Sequence, residues 1–275
     1  MSRNGPEAGE RELEPQENRR PTVGEQFDVI YSGSAHSVAA RRAQRQAYGD
    51  EYPEEVKPFS LLTRSDLRYI ARKLGVGPGR RMVDLACGEG GAGLWVARET
   101  GADLVGVDVS SVAIQHARDR VAEFGLEGRA SFQMGDFVAT GLPGDAFDGA
   151  MSIDALWLVP DTSAALREVA RILRPGARFI FTTWDFDISP PDEPQISNHR
   201  PLLSDAGFTV DAYEETENWE GYYRALVAAY EAARDDLVRE LGETDANEML
   251  AHYHRRAALL PSWRRSRVVA RKNDA

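Results

Sequence analysis

One segment, Val83–Gly93, constrains the fold of this chain more than any other. A short apolar run that ends in an acid is typical of a buried strand, and the glycines after it predict a tight turn into a helix. Glycine lets the backbone approach a ligand closely, and a helix N-terminus presents unpaired N–H groups to it. Strand, turn and helix together predict a binding site for an adenosine-containing cofactor.

The composition narrows the class of protein. The chain has 275 residues, 42% of them hydrophobic, which suffices for one α/β domain with appendages. Its net charge of −11 argues against a nucleic-acid-binding protein, which needs a basic surface. A single cysteine excludes an internal disulfide and favours a reducing compartment. Because the sequence shows neither a signal-peptide core nor a run of about 18 apolar residues, we expect a cytoplasmic protein with no membrane partner.

The chain divides into three parts. Residues 1–21 are polar and charged and predict a disordered tail. Residues 22–63 mix apolar and aromatic positions and predict a partly helical cap. Residues 64–275 alternate strand and helix patterns, which predicts an α/β domain with a mostly parallel sheet and helices on both faces. Within that domain, residues 219–260 predict a helical lid inserted between the last two strands.

The strand patterns place the candidate ligand site at one edge of this sheet. Ligands of such sheets bind beyond the carboxyl ends of the strands. The predicted strands are 81–86, 103–109, 130–134, 147–153, 178–184, a short strand ending at 210, and 263–271.

Asp108 ends the second predicted strand, 20 positions after Gly88 (108 − 88). An acid at this place can accept hydrogen bonds from both ribose hydroxyls of an adenosine. The spacing suits NAD and S-adenosylmethionine equally, and the glycines also satisfy the dinucleotide pattern G-x-G-x-x-G. This pattern alone leaves the cofactor open.

Three observations favour S-adenosylmethionine. Asp84 precedes the glycines, where it suits the cationic methionine end of that cofactor and would repel a pyrophosphate. Asp136 and Phe137 follow the third strand, where a carboxylate and an aromatic ring suit an adenine. About 80 residues precede the glycine turn, whereas dinucleotide domains more often begin with it.

Four motifs in this order resemble those of class I S-adenosylmethionine-dependent methyltransferases, in particular bacterial enzymes that modify small molecules and secondary metabolites. They are 84–90, 105–110, 135–137 and 173–177, and the resemblance covers about residues 60–275. It implies a Rossmann-like sheet of seven strands with the last one antiparallel. Two alanines, Ala86 and Ala177, stand where the family usually has glycine. We expect Ala86 to be tolerated because its backbone avoids positive φ.

The resemblance also implies the cofactor-binding residues. Gly88 and Gly90, with Ala86 beside them, would surround the methionine part, and Asp84 would hold its ammonium group through backbone or water. Asp108 would bind the ribose. The residues implied for the rest of the cofactor are Val109, Asp136 and Phe137 at the adenine, Ser152 beside the sulfonium, and Tyr31 and Ser60 over the carboxylate.

The reaction that the resemblance implies asks mainly for alignment of the acceptor and exclusion of water. An alcohol or phenol acceptor would also need a base, and His199 and Asp154 are the candidates because they fall at the predicted active-site rim. His252 and His254 are two residues apart, a spacing that points to different helix faces, so we expect no metal site.

Aromatic residues near the strand ends predict the acceptor pocket. Trp157, Trp184, Tyr222 and Tyr223 would wall it, which favours a partly apolar or planar small molecule. The fourth strand lacks the Asn/Asp-Pro-Pro-aromatic signature of amino-methylating nucleic-acid enzymes. Two alternative functions stay open, an NAD(P)-dependent oxidoreductase and a non-methylating protein that binds S-adenosylmethionine. The sequence is also compatible with a homo-oligomer.

Overall fold

The computed structural model describes residues 22–33, 35, 37–188 and 195–274. The predicted tail, residues 1–21, lies outside the described residues. Among the described residues, no helix has both the length and the apolar character that crossing a membrane requires.

Seven strands form one sheet in the order β3-β2-β1-β4-β5-β7-β6. The neighbouring pairs among β1–β5 are parallel, while β7 runs antiparallel to both β5 and β6. The strands are β1 Arg81–Leu85, β2 Asp103–Asp108, β3 Ala130–Met134, β4 Phe147–Ile153, β5 Leu173–Phe186, β6 Phe208–Glu215 and β7 Trp263–Lys272. The seven-stranded, mostly parallel, Rossmann-like sheet predicted from the sequence is confirmed.

Ten α-helices surround this sheet in the described part of the chain. They are α1 Val23–Ser32, α2 Val38–Tyr48, α3 Arg64–Lys73, α4 Gly91–Thr100, α5 Ser111–Asp119, α6 Thr162–Ile172, α7 Arg200–Asp205, α8 Trp219–Ala232, α9 Arg234–Leu241 and α10 Glu243–Ala257. The predicted cap contains α1 and α2, and the predicted insertion between the last two strands consists of α8–α10.

Alternation along the strands divides the core into two layers. Met82 packs with α3, α4 and α5 on one face of the sheet, and Val83 packs with α6 and α7 on the other. A third apolar cluster joins α2 and the inserted helices to Trp184 and Phe186, at the carboxyl end of β5. The cap and the insertion therefore cover the sheet edge at which the candidate site was predicted.

Several element boundaries differ from the predicted ones, and β6, predicted to end at 210, continues to Glu215. β5 begins at Leu173, five residues before the predicted start, because Leu173 pairs with Phe147 and the register then shifts around Pro175 and Gly176. The inserted segment is not one helix, since it is interrupted after Ala232 and at Gly242, whose φ of 87° is incompatible with an α-helix.

Candidate functional site

The glycine turn connects β1 to α4 through a run of left-handed residues. Ala86, Gly88 and Gly90 have φ values of 53°, 52° and 74°. The expectation that Ala86 avoids positive φ is wrong, and an alanine in this conformation costs about 1–2 kcal/mol. The backbone N–H of Cys87, which donates to the carbonyl of Val107 at 3.0 Å, ties the strained turn to β2.

Glycine is required in this turn because other groups approach the backbone closely. A Cβ at Gly88 would lie 2.5 Å from the Tyr31 hydroxyl, and a Cβ at Gly93 would lie 2.6 Å from Oδ2 of Asp84. Gly93, the third glycine of the dinucleotide pattern, therefore makes room for the side chain of Asp84 rather than for a pyrophosphate.

Asp84 is buried at the end of β1 with 1% of its surface exposed. Its Oδ2 has no hydrogen-bond partner among the described residues. Burial raises the pKa of Asp84 to about 8, the charge of Asp108 raises it further, and the backbone of Gly93 opposes the shift. A buried acid with one oxygen left unpartnered fits a cationic group such as an ammonium, which would stabilise its charged form.

Asp108 is held rigidly at the end of β2 by two backbone N–H groups. Gly88 donates to its Oδ2 at 2.8 Å, and Ser110 donates to its Oδ1 at 2.9 Å. Burial raises the pKa of Asp108, and these hydrogen bonds oppose the shift. The carboxylate is thus fixed against the glycine turn with lone pairs left for two hydroxyls, as ribose recognition requires.

Helix α1 lies across this part of the site. Asp28 accepts hydrogen bonds from Ser110 Oγ at 2.5 Å, Ser111 Oγ at 3.2 Å and the backbone N–H of Val112 at 3.1 Å. Gly24 lies against the Val109 carbonyl oxygen, 2.7 Å from where its Cβ would be. Sequence reasoning missed Asp28 because its partners follow more than 80 residues later, with no local motif to connect them.

The structure also places the two residues predicted to close over the cofactor. Tyr31 is buried against the glycine turn, with its ring packed between Phe27 and Phe59. Burial, followed by the charge of Asp108, raises the pKa of Tyr31. Ser60 is half-buried in the segment that follows Phe59.

The two residues after β3 have different surroundings. Asp136 is exposed, and its Oδ1 accepts a hydrogen bond from the backbone N–H of Val138 at 2.9 Å. Phe137 is buried in the core layer that contains Val107 and Leu142. Its ring therefore packs in the core, whereas Asp136 is accessible at the sheet edge.

His199 lies between β5 and α7, in the loop where it was predicted, but its side chain is buried rather than accessible. It is fully buried at the start of α7, and its Nδ1 lies 3.0 Å from Oδ1 of Asp185. The same oxygen of Asp185 accepts a hydrogen bond from the Tyr213 hydroxyl at 2.7 Å. Its ring contacts Phe181, the residue that pairs with Ser152 on β4. Ser152 Oγ and His199 Nε2 are both buried without a partner in the described part of the chain. A cofactor candidate and a base candidate thus share one face of the sheet.

Asp154, the second base candidate, is committed to a buried ion pair. Arg265 donates through Nε to Oδ1 at 3.0 Å and through Nη2 to Oδ2 at 3.1 Å. The same guanidinium donates through Nη1 to Asp66 at 2.8 Å. Arg265 is fully buried between two acids. Burial lowers its pKa, but the charges of Asp154 and Asp66 outweigh this effect, so the pKa of Arg265 is raised. This geometry does not favour Asp154 as a base, because both of its oxygens are engaged.

The predicted acceptor wall consists mostly of packed aromatic side chains. Trp184 meets Tyr223 edge-on with ring centroids 6.2 Å apart, and Trp157 donates through Nε1 to the Asp154 carbonyl at 2.8 Å. All three are buried in the third apolar cluster. Tyr222 instead lines a cavity of about 510 Å³ beside α3. The hydroxyl of Tyr223 is buried without a partner among the described residues.

Comparison with known proteins identifies the family. A family model described as a methyltransferase domain matches residues 77–248, and the chain belongs to this family. The interpretation of the motifs as those of a class I S-adenosylmethionine-dependent methyltransferase is confirmed, and the family's cofactor is S-adenosylmethionine.

Two curated methyltransferases match this chain over part of their length only. The chain is 36% identical over 126 residues to the methyltransferase GfsG of Streptomyces halstedii, which covers 46% of this chain and 45% of that protein. It is 34% identical over 127 residues to the methyltransferase phqN of Penicillium fellutanum, covering 46% and 38%. The match thus spans less than half the length of these relatives.

Solved structures show the same fold over a longer range. The [4+2]-cyclase SpnF superposes with a TM-score of 0.73 at 21% identity, covering 92% of this chain and 96% of that one. At this identity the likeness concerns the fold alone.

Proposed function

We propose that this protein transfers a methyl group from S-adenosylmethionine to an O, N or C atom of a small molecule in secondary metabolism. The buried carboxyl of Asp84, whose Oδ2 has no partner among the described residues, next to the fixed carboxylate of Asp108 carries the proposal. One acid suits an ammonium group and the other suits a ribose, and both lie at the carboxyl edge of β1 and β2. When bound, the cofactor supplies a methyl group already activated by its sulfonium.

The residues around the glycine turn would bind the cofactor. Asp84 holds the ammonium end in ionised form, and Asp108 accepts the ribose hydroxyls. The left-handed backbone of the turn leaves space for the methionine part. The other residues proposed to contact the cofactor are Val109, Asp136 and Phe137 on the adenine side, Ser152 near the sulfonium, and Tyr31 and Ser60 as closing residues.

The acceptor side would work mainly by alignment and exclusion of water. Asp154 orients the chain at the end of β4 through Arg265 and through its carbonyl bond to Trp157. Trp184, Tyr222 and Tyr223 form the aromatic boundary that would hold an apolar or planar acceptor.

Of the two base candidates, His199 is the better one. Its Nδ1 is oriented by Asp185, and its Nε2 has no partner in the described part of the chain. A base role requires an oxygen acceptor, or a water in contact with it, to reach this buried nitrogen. His199→Gln would then lower kcat for an oxygen acceptor while the melting temperature and the affinity for S-adenosylhomocysteine stay unchanged. A purely structural role would instead lower the melting temperature and weaken both activity and cofactor binding together.

We also propose that the protein acts in the cytoplasm on a small-molecule partner. The acidic net charge of −11 supports an acceptor other than nucleic acid, and the single cysteine suits a reducing compartment.

The test is transfer of isotope-labelled methyl from S-adenosylmethionine to a panel of phenols, amines and polyketide-like alcohols. Release of S-adenosylhomocysteine with at least one acceptor supports the proposal, and Asp108→Ala should suppress it. The [4+2]-cyclase SpnF, which has the same fold, suggests a second candidate function, that of a protein that binds the cofactor without transferring its methyl group. Cofactor binding without S-adenosylhomocysteine release on any acceptor would favour that candidate.

A further inference from the structure

A groove beside α3 contains a group of arginines that the proposed methyl transfer does not use. This α3 groove has a volume of about 510 Å³ and is bounded by α3, the connection from β6 to α8, and the start of β7. Arg68 and Arg72 line it from α3, and Arg267 lines it from β7.

Two of the three arginines of α3 have no partner among the described residues. Arg68 and Arg72 are four residues apart and therefore project from one side of the helix. Both are exposed, and neither makes a hydrogen bond or an ion pair with the described residues. The third arginine of this helix, Arg64, pairs with Glu55 at 3.1 Å.

One buried hydrogen-bond donor of the α3 groove is also unsatisfied. Arg267 stacks on the Tyr69 ring at 3.7 Å and pairs with Asp66 at 3.5 Å and with Glu214 at 3.3 Å. Its Nε is nevertheless buried without a partner among the described residues. A guanidinium Nε–H can only donate, so a ligand that satisfies it must supply an acceptor atom.

The acids that line the groove are mostly engaged already. Asp66 is bound by Arg265 at 2.8 Å, and Glu51 accepts from the backbone and hydroxyl of Ser65 at 2.8 and 3.0 Å. Glu217, which is exposed, is the remaining acid of the lining. The lining thus contains four arginines and three acids, so its residues carry a small excess of positive charge.

We propose that the α3 groove binds the carboxylate or phosphate group of a small molecule with an apolar or aromatic body. Arg68 and Arg72 would contact the anionic oxygens, as guanidiniums do in paired geometry, with Arg267 Nε donating from the floor. Trp219 and Tyr222, on the opposite wall, would pack against the body. Tyr222 also belongs to the proposed aromatic boundary of the acceptor, so this site adjoins the acceptor side, but the binding of the anionic group itself requires no methyl transfer.

Isothermal titration of the full chain without cofactor, at low ionic strength, tests this site. The probes are phenyl phosphate, benzoate and the neutral analogue benzamide. The variants are Arg68→Gln/Arg72→Gln and the control Arg255→Gln, an exposed arginine of α10 outside the groove. We expect one or both anions to bind in preference to benzamide, about tenfold more weakly in the double variant and unchanged in the control.

The stronger anion identifies the group as phosphate or carboxylate. Equal binding of the anions and benzamide, or equal binding by the double variant and the control, would overturn the site. Because both substituted arginines are exposed, unchanged thermal unfolding of the double variant is expected and excludes misfolding as the cause. Failure here would leave cofactor binding by the same preparation intact, so the two proposals fail separately.

Discussion

The two halves of the sheet edge are built in different ways. At β1 and β2, backbone and short-range contacts form the site, as when Gly88 donates to Asp108 only 20 residues away. At β4, β5 and β7, side chains far apart in sequence form it, as when Arg265 binds Asp154 across 111 residues and Asp66 across 199. In the first half Asp84 and Asp108 lie against the glycine turn, whereas ion pairs and packed aromatic rings occupy the second. The proposed cofactor contacts therefore depend on local motifs, and the proposed acceptor boundary depends on the tertiary fold.

The largest effect should come from the acceptor half. Arg265→Met would leave Asp66 and Asp154 buried without their cation, and breaking a buried ion pair in this way costs about 3–5 kcal/mol of unfolding free energy. Urea denaturation measures the loss. Arg264→Met, an exposed neighbour on β7, is the control and should stay within about 0.5 kcal/mol of the wild type. Equal stability of both variants would show that the ion pair does not hold this half together.

The next effect concerns the cofactor half. Asp108→Ala should weaken S-adenosylhomocysteine binding by about 1.5–3 kcal/mol, since hydrogen bonds to a charged group are lost. Calorimetric titration measures it, with Asp103→Ala at the exposed start of β2 as the matched control. Unchanged affinity for the Asp108 variant would mean that the ribose binds elsewhere.

The buried acid predicts a pH dependence whose sign follows from its raised pKa. Asp84 has a pKa of about 8 in the folded protein and an ordinary value of 3.8. Between these values the folded state holds a proton that the unfolded state has lost, so this group makes stability fall as pH rises from 4 to 8. Asp84→Asn should lack that component and gain stability over the wild type at pH 9.

Urea denaturation at pH 5, 7 and 9 measures this difference, with the exposed Asp205→Asn as control. Binding of an ammonium group should also ionise Asp84, so titration at pH 7 in buffers of different ionisation enthalpy should report proton release. Identical pH profiles for wild type and Asp84→Asn would refute the assignment.

The smallest effect tests the strained alanine. Ala86→Gly relieves a left-handed alanine but gives the unfolded chain more freedom, so stability should change by less than about 1 kcal/mol and cofactor affinity should be kept. Ala251→Gly inside α10 should instead destabilise by about 1 kcal/mol. Calorimetric melting compares them, and an equal loss in both variants would show that Ala86 is unstrained.

Sequence patterns predicted the strands and the turn that carry the proposed cofactor residues because the determinants of these elements are local. The glycines of the turn, Asp84 and Asp108 are separated by few residues, and their strand and helix contexts follow from short periodic patterns. The left-handed backbone of Ala86 could not be predicted, because an alanine carries no signal for a conformation that its surroundings impose.

Sequence patterns predicted much less of the acceptor half. The positions of β7 and the inserted helices follow from their apolar patterns, but the pairing of Arg265 with Asp66 and Asp154 depends on how distant elements pack. The burial of His199 likewise depends on α7 and β6 closing over it. No sequence feature shows whether a polar loop residue such as His199 lies exposed at the edge of the site or buried inside the protein.

The most direct test of the cofactor site is a calorimetric titration of the purified protein with S-adenosylhomocysteine and, separately, with NADH. We predict saturable one-to-one binding of S-adenosylhomocysteine, weakened by Asp108→Ala, and no binding of NADH. Binding of NADH without binding of S-adenosylhomocysteine would contradict the assignment of the glycine turn, Asp84 and Asp108 to a methyl-donor site.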